Sequence, residues 1–311
     1  MSIGVIGDFI LDVEQYCSSI YTTPESKDVP VLNPGLIKYK LGGAANTAEN
    51  IHNLYDDCKL YCSVNPEDIS RKTNILQNNP LPMEIIRSKF RPIEKHRIYM
   101  NGKLLCRLDY DYGVEPVNNS LEQSIVNNNH EVIVISDYGK GTITNYKKIL
   151  DSALYKKHKI IVDPKGDFQK YRGAFIIKPN KKELEEYLGY EIYDLASTLN
   201  HIKEDVIYKK EKSVFTNLCD NLIVTDGANG AYCLNFANER IIHYLTKDIN
   251  VVDTIGAGDS FTAGLAIGVA KYGMSGYRYE EGKVIDLAMN MANIVVTKQG
   301  TARVEKNEIR I

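Results

Sequence analysis

Near its C-terminal end the chain carries the run Asp253-Thr254-Ile255-Gly256-Ala257-Gly258-Asp259-Ser260. Gly256, Ala257 and Gly258 let the backbone pass close to a ligand, and a helix-length apolar stretch, 258–271, follows at once. The first N–H groups of a helix lack partners within it, and the helix dipole favours negative charge there. The run therefore predicts an anion cradle, suited to the charge that builds on a phosphoryl group during transfer. Asp259 follows directly, where a carboxylate can accept the proton of an attacking hydroxyl. A helix cap is the competing use of that aspartate, but the full run is far more specific than a lone Gly-x-Gly-Asp.

Such a cradle needs a framework that presents it at a sheet edge. Short apolar runs alternate with amphipathic stretches of helix length. Strands are predicted at 2–7, 59–63, 131–136, 159–162 and 222–225, and helices at 44–54, 67–77, 121–127, 145–156, 258–271 and 281–295. This alternation predicts an α/β fold with a mostly parallel sheet covered on both faces. Ligands in such folds bind beyond the carboxyl ends of the strands. Two stretches break the rhythm. Residues 13–39 alternate apolar residues without a helix, and residues 83–110 contain a hairpin, 97–100 with 103–109, turning at Asn101-Gly102. An Asn-Gly pair is the strongest short hairpin signal. Together these stretches predict a small antiparallel sheet, either a lid over the site or an edge extension of the core sheet. With no internal repeat or low-complexity linker, residues 1–311 read as one domain with lid segments inserted at about 13–40 and 84–111.

The composition suits that reading. The 311 residues are 43% hydrophobic and 25% charged, enough for one α/β domain with a small appendage. With 38 basic and 40 acidic residues the net charge is -2, which gives no general drive towards nucleic acid or membrane. The clusters Lys156-Lys157-His158-Lys159 and Lys209-Lys210 read as solvated helix ends. No apolar run approaches the roughly 20 residues of a membrane span. Residues 1–8 read as a strand without the basic region of a secretory signal, so the cytoplasm, of the source cell or of an infected host, is the expected location. The six cysteines, Cys17, Cys58, Cys62, Cys106, Cys219 and Cys233, are scattered. Cys58 and Cys62 form one CxxxC with no second pair or nearby histidine to complete a zinc site, so free thiols are expected.

The motifs resemble the PfkB (ribokinase-like) family of sugar and nucleoside kinases. The run 253–259 is similar to its D-T-x-G-A-G-D signature, and Leu41-Gly42-Gly43-Ala44-Ala45-Asn46 to its N-terminal Gly-Gly pair with a nearby Asn. The likeness extends from Gly7 to about Val304. Within the family the chain looks most like the kinase domain that makes heptose bisphosphate, D-glycero-β-D-manno-heptose-7-phosphate kinase. Gly7-Asp8 with Leu11-Asp12 resembles G-D-x-x-L-D, and Arg107-Leu108-Asp109 its lid segment. Ser136-Asp137-Tyr138-Gly139-Lys140-Gly141 resembles S-D-Y-x-K-G. Val162-Asp163-Pro164-Lys165-Gly166 with Tyr171-Arg172-Gly173-Ala174 resembles D-P-K-G…Y-R-G-A, Pro179-Asn180 with Glu183 resembles P-N-x-x-E, and Gly300-Thr301 resembles K-x-G-T.

The resemblance implies a ribokinase-like three-layer α/β/α fold with a small antiparallel β lid. It also implies transfer of the ATP γ-phosphate to a sugar hydroxyl, with Asp259 as base and the backbone of Gly256, Ala257 and Gly258 stabilising transition-state charge. Asp8, Asp12, Gly42, Gly43, Asn46, Arg107, Asp137 and Lys140 would serve the sugar. Carboxylates there accept from vicinal hydroxyls, the glycines permit close approach, and Lys140 neutralises a phosphate. Asn180, Lys181, Lys182, Glu183, Thr225, Gly227, Asn290 and Asn293 would serve the nucleotide, with Asn180 and Glu183 organising water around magnesium. Plainer roles compete: turn or cap aspartates for Asp8 and Asp12, a helix-start polar residue for Asn46, a surface lysine for Lys140, a capping box for Asn180 and Glu183, and solvated helix positions for Asn290 and Asn293. A monovalent cation such as potassium near Asp253 and Thr254, and a homodimer through the lid, follow from the same resemblance.

Three features depart from the heptose kinase pattern. The chain ends at Ile311 without an H-x-G-H motif, so nucleotidylyl transfer is not expected. Val13 stands where a basic residue usually follows L-D. The stretch 18–31 keeps its closing V-P-V but lacks the related arginine, although Lys95, Arg97 and Arg107 supply positive charge nearby. Rival expectations are another sugar, sugar-phosphate or nucleoside kinase, and a sugar-sensing or assembly protein that has lost turnover. The intact Asp259 and G-A-G argue against the last.

Overall fold

A computed structural model describes residues 2–72, 81–208, 213–274 and 278–310. The chain opens with β1 (Ser2–Gly7), β2 (Phe9–Thr23), β3 (Ser26–Gly43), α1 (Ala44–Leu54), β4 (Cys58–Val64), α2 (Pro66–Lys72), β5 (Met83–Arg87), β6 (Ile93–Met100) and β7 (Lys103–Tyr110). It continues through α3 (Asn119–Asn127), β8 (His130–Ser136), α4 (Tyr146–Tyr155), β9 (Lys159–Asp163), β10 (Ala174–Ile177), α5 (Lys181–Leu188), α6 (Leu195–Tyr208) and β11 (Cys219–Thr225). The hairpin β12 (Ala231–Asn235) and β13 (Arg240–Tyr244), then α7 (Ala257–Tyr272) and α8 (Arg278–Val295), complete it.

Nine strands form the main sheet in the order β13-β12-β11-β10-β9-β8-β1-β4-β5. Every pairing from β11 to β5 is parallel, and only β11-β12 and β12-β13 are antiparallel. The reason lies in the strands themselves: Ile3, Val5 and Ile6 in β1 and Ile133, Val134 and Ile135 in β8 are fully buried, so both faces must be covered. One face packs Ile3, Val5 and Leu60 against α1, α7 and α8 through Ile51, Leu265 and Ile285. The other packs Ile6, Ile133 and Leu222 against α3 to α6 through Ile125, Ile149, Leu184 and Leu199. Each such side chain contributes about 1.5–3 kcal/mol by burial. The mostly parallel α/β architecture is as expected from the alternation of elements.

The second sheet has four strands in the order β3-β2-β6-β7. Two antiparallel hairpins, β2-β3 and β6-β7, are joined by a parallel β2-β6 pairing. The β6-β7 turn places Asn101 and Gly102 at positive φ (51° and 80°), the geometry a two-residue hairpin needs. The boundaries differ from the sequence expectation. Residues 84–87 belong to β5, which pairs parallel with β4 in the main sheet, and the small sheet begins at Phe9, immediately after β1. Strand β7 is exposed along its whole length. Of the helix predicted at 67–77, residues 73–77 lie outside the described residues, as do Lys209 and Lys210. All six cysteines are free. Among the described residues no helix is long and apolar enough to cross a membrane.

Candidate active site

The first turn of α7 has no side-chain cap. Gly256 takes the N-cap position at φ 79°, in the left-handed region that glycine tolerates. The Ala257 N–H reaches the Thr254 carbonyl at 3.3 Å, whereas those of Gly258 and Asp259 have no acceptor among the described residues. Two open donors thus stand at the positive end of a 16-residue helix, where an anion gains both bonds and the dipole.

Asp259 follows, 6% exposed and gripped at both oxygens. Asn46 Nδ2 donates to Oδ2 at 2.7 Å, and the Tyr138 hydroxyl donates to Oδ1. Burial pushes the Asp259 carboxyl up to about 6; the two hydrogen bonds and the Lys178 charge oppose the rise, and the Asp163 charge adds to it. A carboxylate tuned in this way is ionised at neutral pH yet more basic than an exposed one. The amide of Asn46 is oriented by its neighbour: Asn50 Nδ2 donates to Asn46 Oδ1 at 3.1 Å, and the Val304 N–H donates to Asn50 Oδ1 at 3.0 Å. Both ends of Asn46 are therefore engaged inside the protein, where it orients Asp259.

The residues expected to serve the sugar divide into two groups. Asp12 is 5% exposed on β2 and accepts from Arg97 Nη1 at 2.6 Å and from Thr301 Oγ1 at 2.7 Å. Gly42 lies so close that a Cβ there would sit 2.4 Å from Asp12 Oδ2, and Gly43, at φ 58°, is the N-cap of α1. Asp12, Gly42 and Gly43 belong to the small sheet, whereas Asn46 lies in the first turn of α1 against Asp259. Asp8 instead accepts three backbone N–H groups, from Tyr138 (2.8 Å), Lys140 (3.2 Å) and Thr142 (3.1 Å), and so pins the loop after β8. Asp137 accepts from Gly139 N–H, Lys170 Nζ and the hydroxyls of Tyr146 and Tyr171. Burial alone would raise its carboxyl, but these four bonds hold it below the usual range. Both aspartates shape the loop that delivers Tyr138. Lys140 pairs with Asp111 at 2.7 Å, and exposed Arg107 pairs with Asp109 at 2.8 Å.

A cleft of about 610 Å³ opens beside the start of α7, within the range of small-molecule sites. Thr225, Gly227, Ala257, Gly258 and Asn293 are among its lining residues. Asn293 accepts from the Thr246 hydroxyl at 2.9 Å. Asn290, three residues earlier and so about 60° round the helix, faces the neighbouring hollow and accepts from Lys247 Nζ at 3.1 Å. Asn180 and Glu183 form a reciprocal capping box at the start of α5 (2.9 and 3.0 Å), with Glu183 Oε1 3.5 Å from Lys165 Nζ. Lys181 and Lys182 occupy the turn between them, Lys182 in solvent. Among the described residues no three His, Cys, Asp or Glu side chains are grouped to cage a metal ion.

Three further side chains lie near Asp259, of which the sequence marks Lys95 only as a positive charge and does not mark Lys178. Tyr138 was quoted only as part of a motif. Lys95 on β6 places its ammonium 5.0 Å over the Tyr138 ring, and burial lowers its pKa. Lys178 directly follows β10 and pairs with Asp163 at 3.0 Å. The carboxyl-edge rule that pointed to Asp8 and Asp137 points to Lys178 as well, once 174–177 is recognised as a strand.

The pfkB family of carbohydrate kinases matches residues 123–307 of the chain. The chain is 31% identical to an uncharacterized sugar kinase of Buchnera aphidicola, over 98% of this chain and 94% of that protein. It is 32% identical to the bifunctional protein HldE of Haemophilus ducreyi, over 98% of this chain but 62% of that protein, and so spans less than two thirds of that relative. The fold matches phosphofructokinase-2 from Escherichia coli in complex with potassium, with a TM-score of 0.77 at 16% identity over 99% of this chain and 96% of that one. It also matches ribokinase from Thermotoga maritima, with a TM-score of 0.72 at 18% identity over 99% and 97%. Similarity along nearly the whole chain and a family match over more than half of it place this protein in the pfkB family of carbohydrate kinases, phosphotransferases that act on a sugar hydroxyl.

Proposed function

We propose that the chain transfers the γ-phosphate of ATP to the anomeric hydroxyl of D-glycero-β-D-manno-heptose 7-phosphate, giving the 1,7-bisphosphate. The observation that carries the transfer step is Asp259, a buried carboxylate raised to about 6 and fixed by Asn46 and Tyr138 beside two open helix N–H groups. The sugar hydroxyl gives its proton to Asp259 as its oxygen attacks the γ-phosphorus. Charge on the phosphoryl oxygens is met by the N–H groups of Gly258 and Asp259. ATP occupies the cleft of Thr225, Gly227 and Asn293. Magnesium, when bound, would supply charge neutralisation for the phosphates. Asn180 and Glu183 would hold it through water, which suits a capping box with spare carboxylate lone pairs and no protein cage. A potassium ion would lie near Asp253 and Thr254, sharing the Asp253 carboxylate with the N–H groups of Ile255 (3.1 Å) and Gly300 (3.0 Å).

The choice of acceptor is supported by the heptose-kinase-like stretches at 42–46, 136–141 and 162–174, and by one charge. Arg97 is committed to Asp12 and Arg107 to Asp109, but Lys95 has no ion-pair partner among the described residues and is half-buried beside the Asp259 approach. A phosphate on the sugar would complete it. A coupled ADP-release assay over a panel of sugars, sugar phosphates and nucleosides tests the reading. Heptose 7-phosphate is expected to be turned over best, and Asp259→Asn to lose about 10²–10⁴-fold in kcat. Indifference to heptose 7-phosphate with turnover of another panel member would replace the acceptor, and a wild-type rate in Asp259→Asn would remove the base.

A further inference from the structure

Two asparagines of α1 are buried, Asn46 at 1% and Asn50 at 0% exposure. Four residues apart, they lie one turn over the other on the same face of the helix. Asparagine is a poor helix former, and a buried amide is costly unless its donors and acceptor are met. Asn50 meets all of them. Its Nδ2 donates to the Asn46 carbonyl at 3.0 Å and to Asn46 Oδ1 at 3.1 Å, and its Oδ1 accepts the Val304 N–H at 3.0 Å. The direction of this relay is not free. A backbone N–H can only donate, so it turns Asn50 Oδ1 towards itself and Nδ2 towards Asn46. Asn46 must then offer Oδ1 to Asn50 and Nδ2 to Asp259, as it does at 2.7 Å. The far end is anchored in its turn. Val304 is fully buried, its carbonyl accepts from Asn53 Nδ2 at 2.6 Å, and the preceding Arg303 pairs with Glu49 at 3.0 Å. Three residues earlier, Thr301 holds Asp12. One short segment, 301–304, therefore braces both the base and the small sheet.

We propose that Asn50 is a positioning residue for the base: it carries the fixed direction of the Val304 N–H through Asn46 to Asp259, which makes the segment 301–304 part of the catalytic apparatus. This rests on the reading of Asp259 as the base. With Asn50 in place, Asp259 Oδ2 faces an N–H, which favours the carboxylate. Without it, Asn46 is free to turn over and present Oδ1. An oxygen facing Asp259 favours the protonated acid, which alone can donate to it. No proton passes along the relay; each amide keeps its own, and only orientation is transmitted. The charged and titratable groups around Asp259 are Tyr138 after β8, Asp163 at the end of β9, Lys178 after β10 and, in the small sheet, Lys95 with Asp12, Arg97 and Asp109 about it. None of these is a hydrogen-bond partner of Asn50, whose partners among the described residues are Asn46 and Val304. A change at Asn50 therefore reaches the base through Asn46.

The experiment titrates Asp259 in wild type, Asn50→Leu, Asn46→Leu and the double variant. Its charge is read twice: from the acid limb of kcat/KM on the best acceptor, and from its carboxyl carbon NMR resonance in the free protein, identified by its absence in Asp259→Asn. Asn50→Leu keeps the size of the side chain and removes the amide. Its midpoint is expected to rise by roughly one unit, with the MgADP Kd within about threefold of wild type and kcat/KM recovering towards wild type above the limb. Asn46→Leu should show a rise of its own, and Asn50→Leu added to it no further one. An unmoved midpoint in folded Asn50→Leu overturns the proposal, even where thermal stability falls, since that marks a packing role alone. So does an undiminished rise when Asn50→Leu is added to Asn46→Leu, which marks another route to the base. If Asn50→Leu fails to fold, the smaller Asn50→Thr, whose hydroxyl can still serve the Asn46 carbonyl, carries the same readings: a raised midpoint supports the relay and an unmoved one overturns it. Wild type that turns over no acceptor while the carboxyl midpoint rises in Asn50→Leu rejects the transfer reading and supports the relay. Turnover with an unmoved midpoint supports transfer and rejects the relay.

Discussion

Asp259 can be ionised in the interior because two donors, Asn46 and Tyr138, face it, and it is basic because little water does. A raised carboxyl has a definite consequence for pH. Below about 6 the base is protonated, so kcat/KM should fall tenfold per unit on the acid side, with its midpoint near 6. Tyr138→Phe removes a bond that favours the ionised form, so the limb should move upward, by roughly one unit. A pH–rate profile of the two proteins checks both statements. Stability follows the same sign. The folded pKa lies above the unfolded one, so stability present below about pH 4 is lost as pH rises through 6. Asp259→Asn, which cannot ionise, should therefore gain stability over wild type above pH 6 and little near pH 4, on the order of 2 kcal/mol. The identity of the base was legible in the sequence because its helix start is local. Its partners were not, since Asn46 lies 213 residues away and Tyr138 121.

Elements bring these distant residues together, and the loop at Gly300 shows how tightly. Gly300 has φ 67°, donates its N–H to Asp253, and faces Glu14, whose Oε1 would lie 1.7 Å from any added Cβ. Glu14 cannot step aside easily: it is fully buried on β2, with Lys40 Nζ at 2.9 Å and the Tyr16 hydroxyl at 3.0 Å. The next residue, Thr301, holds Asp12. Gly300→Ala should thus be destabilised by roughly 2 kcal/mol or more, through positive φ and a forced shift of Glu14. The acceptor KM should also rise, since Asp12 loses its fixed partner; thermal unfolding and acceptor kinetics measure the two effects. Sequence motifs flagged Gly300-Thr301 but not Glu14, because a glutamate in an alternating strand looks the same whether it faces solvent or a glycine loop from the far end of the chain. Asn180 and Glu183 teach the converse: three residues apart, they form the capping box that local spacing allows.

At the scale of the molecule, the small sheet leaves a surface unexplained by the monomer. All of β7 is exposed, and Leu104, Leu105 and Leu108 are 54%, 41% and 45% exposed on an edge strand whose one neighbour among the described strands is β6. Edge strands of this kind invite association, in keeping with the homodimer through the lid that the family resemblance leads one to expect. Light scattering at micromolar concentration is expected to give twice the chain mass, and Leu104→Glu with Leu108→Glu to give the monomer; a monomeric wild type would dismiss the dimer. What the sequence determined by itself is what short-range physics encodes: buried parallel strands from continuous apolar runs, the Asn101-Gly102 hairpin, the helix start at Gly256–Asp259 and the family signatures around it. Tertiary structure alone decided which charged side chains meet. It turned Asp8 and Asp137 inward to hold a loop, set Asn290 outside the cleft, moved residues 84–87 into the main sheet, and brought Tyr138, Asn46 and Lys178 to Asp259. The physical reason is that a carboxylate or an ammonium has no preferred partner in its own segment. Its partner, and with it its charge state and use, is fixed only when strands far apart in sequence are paired in register.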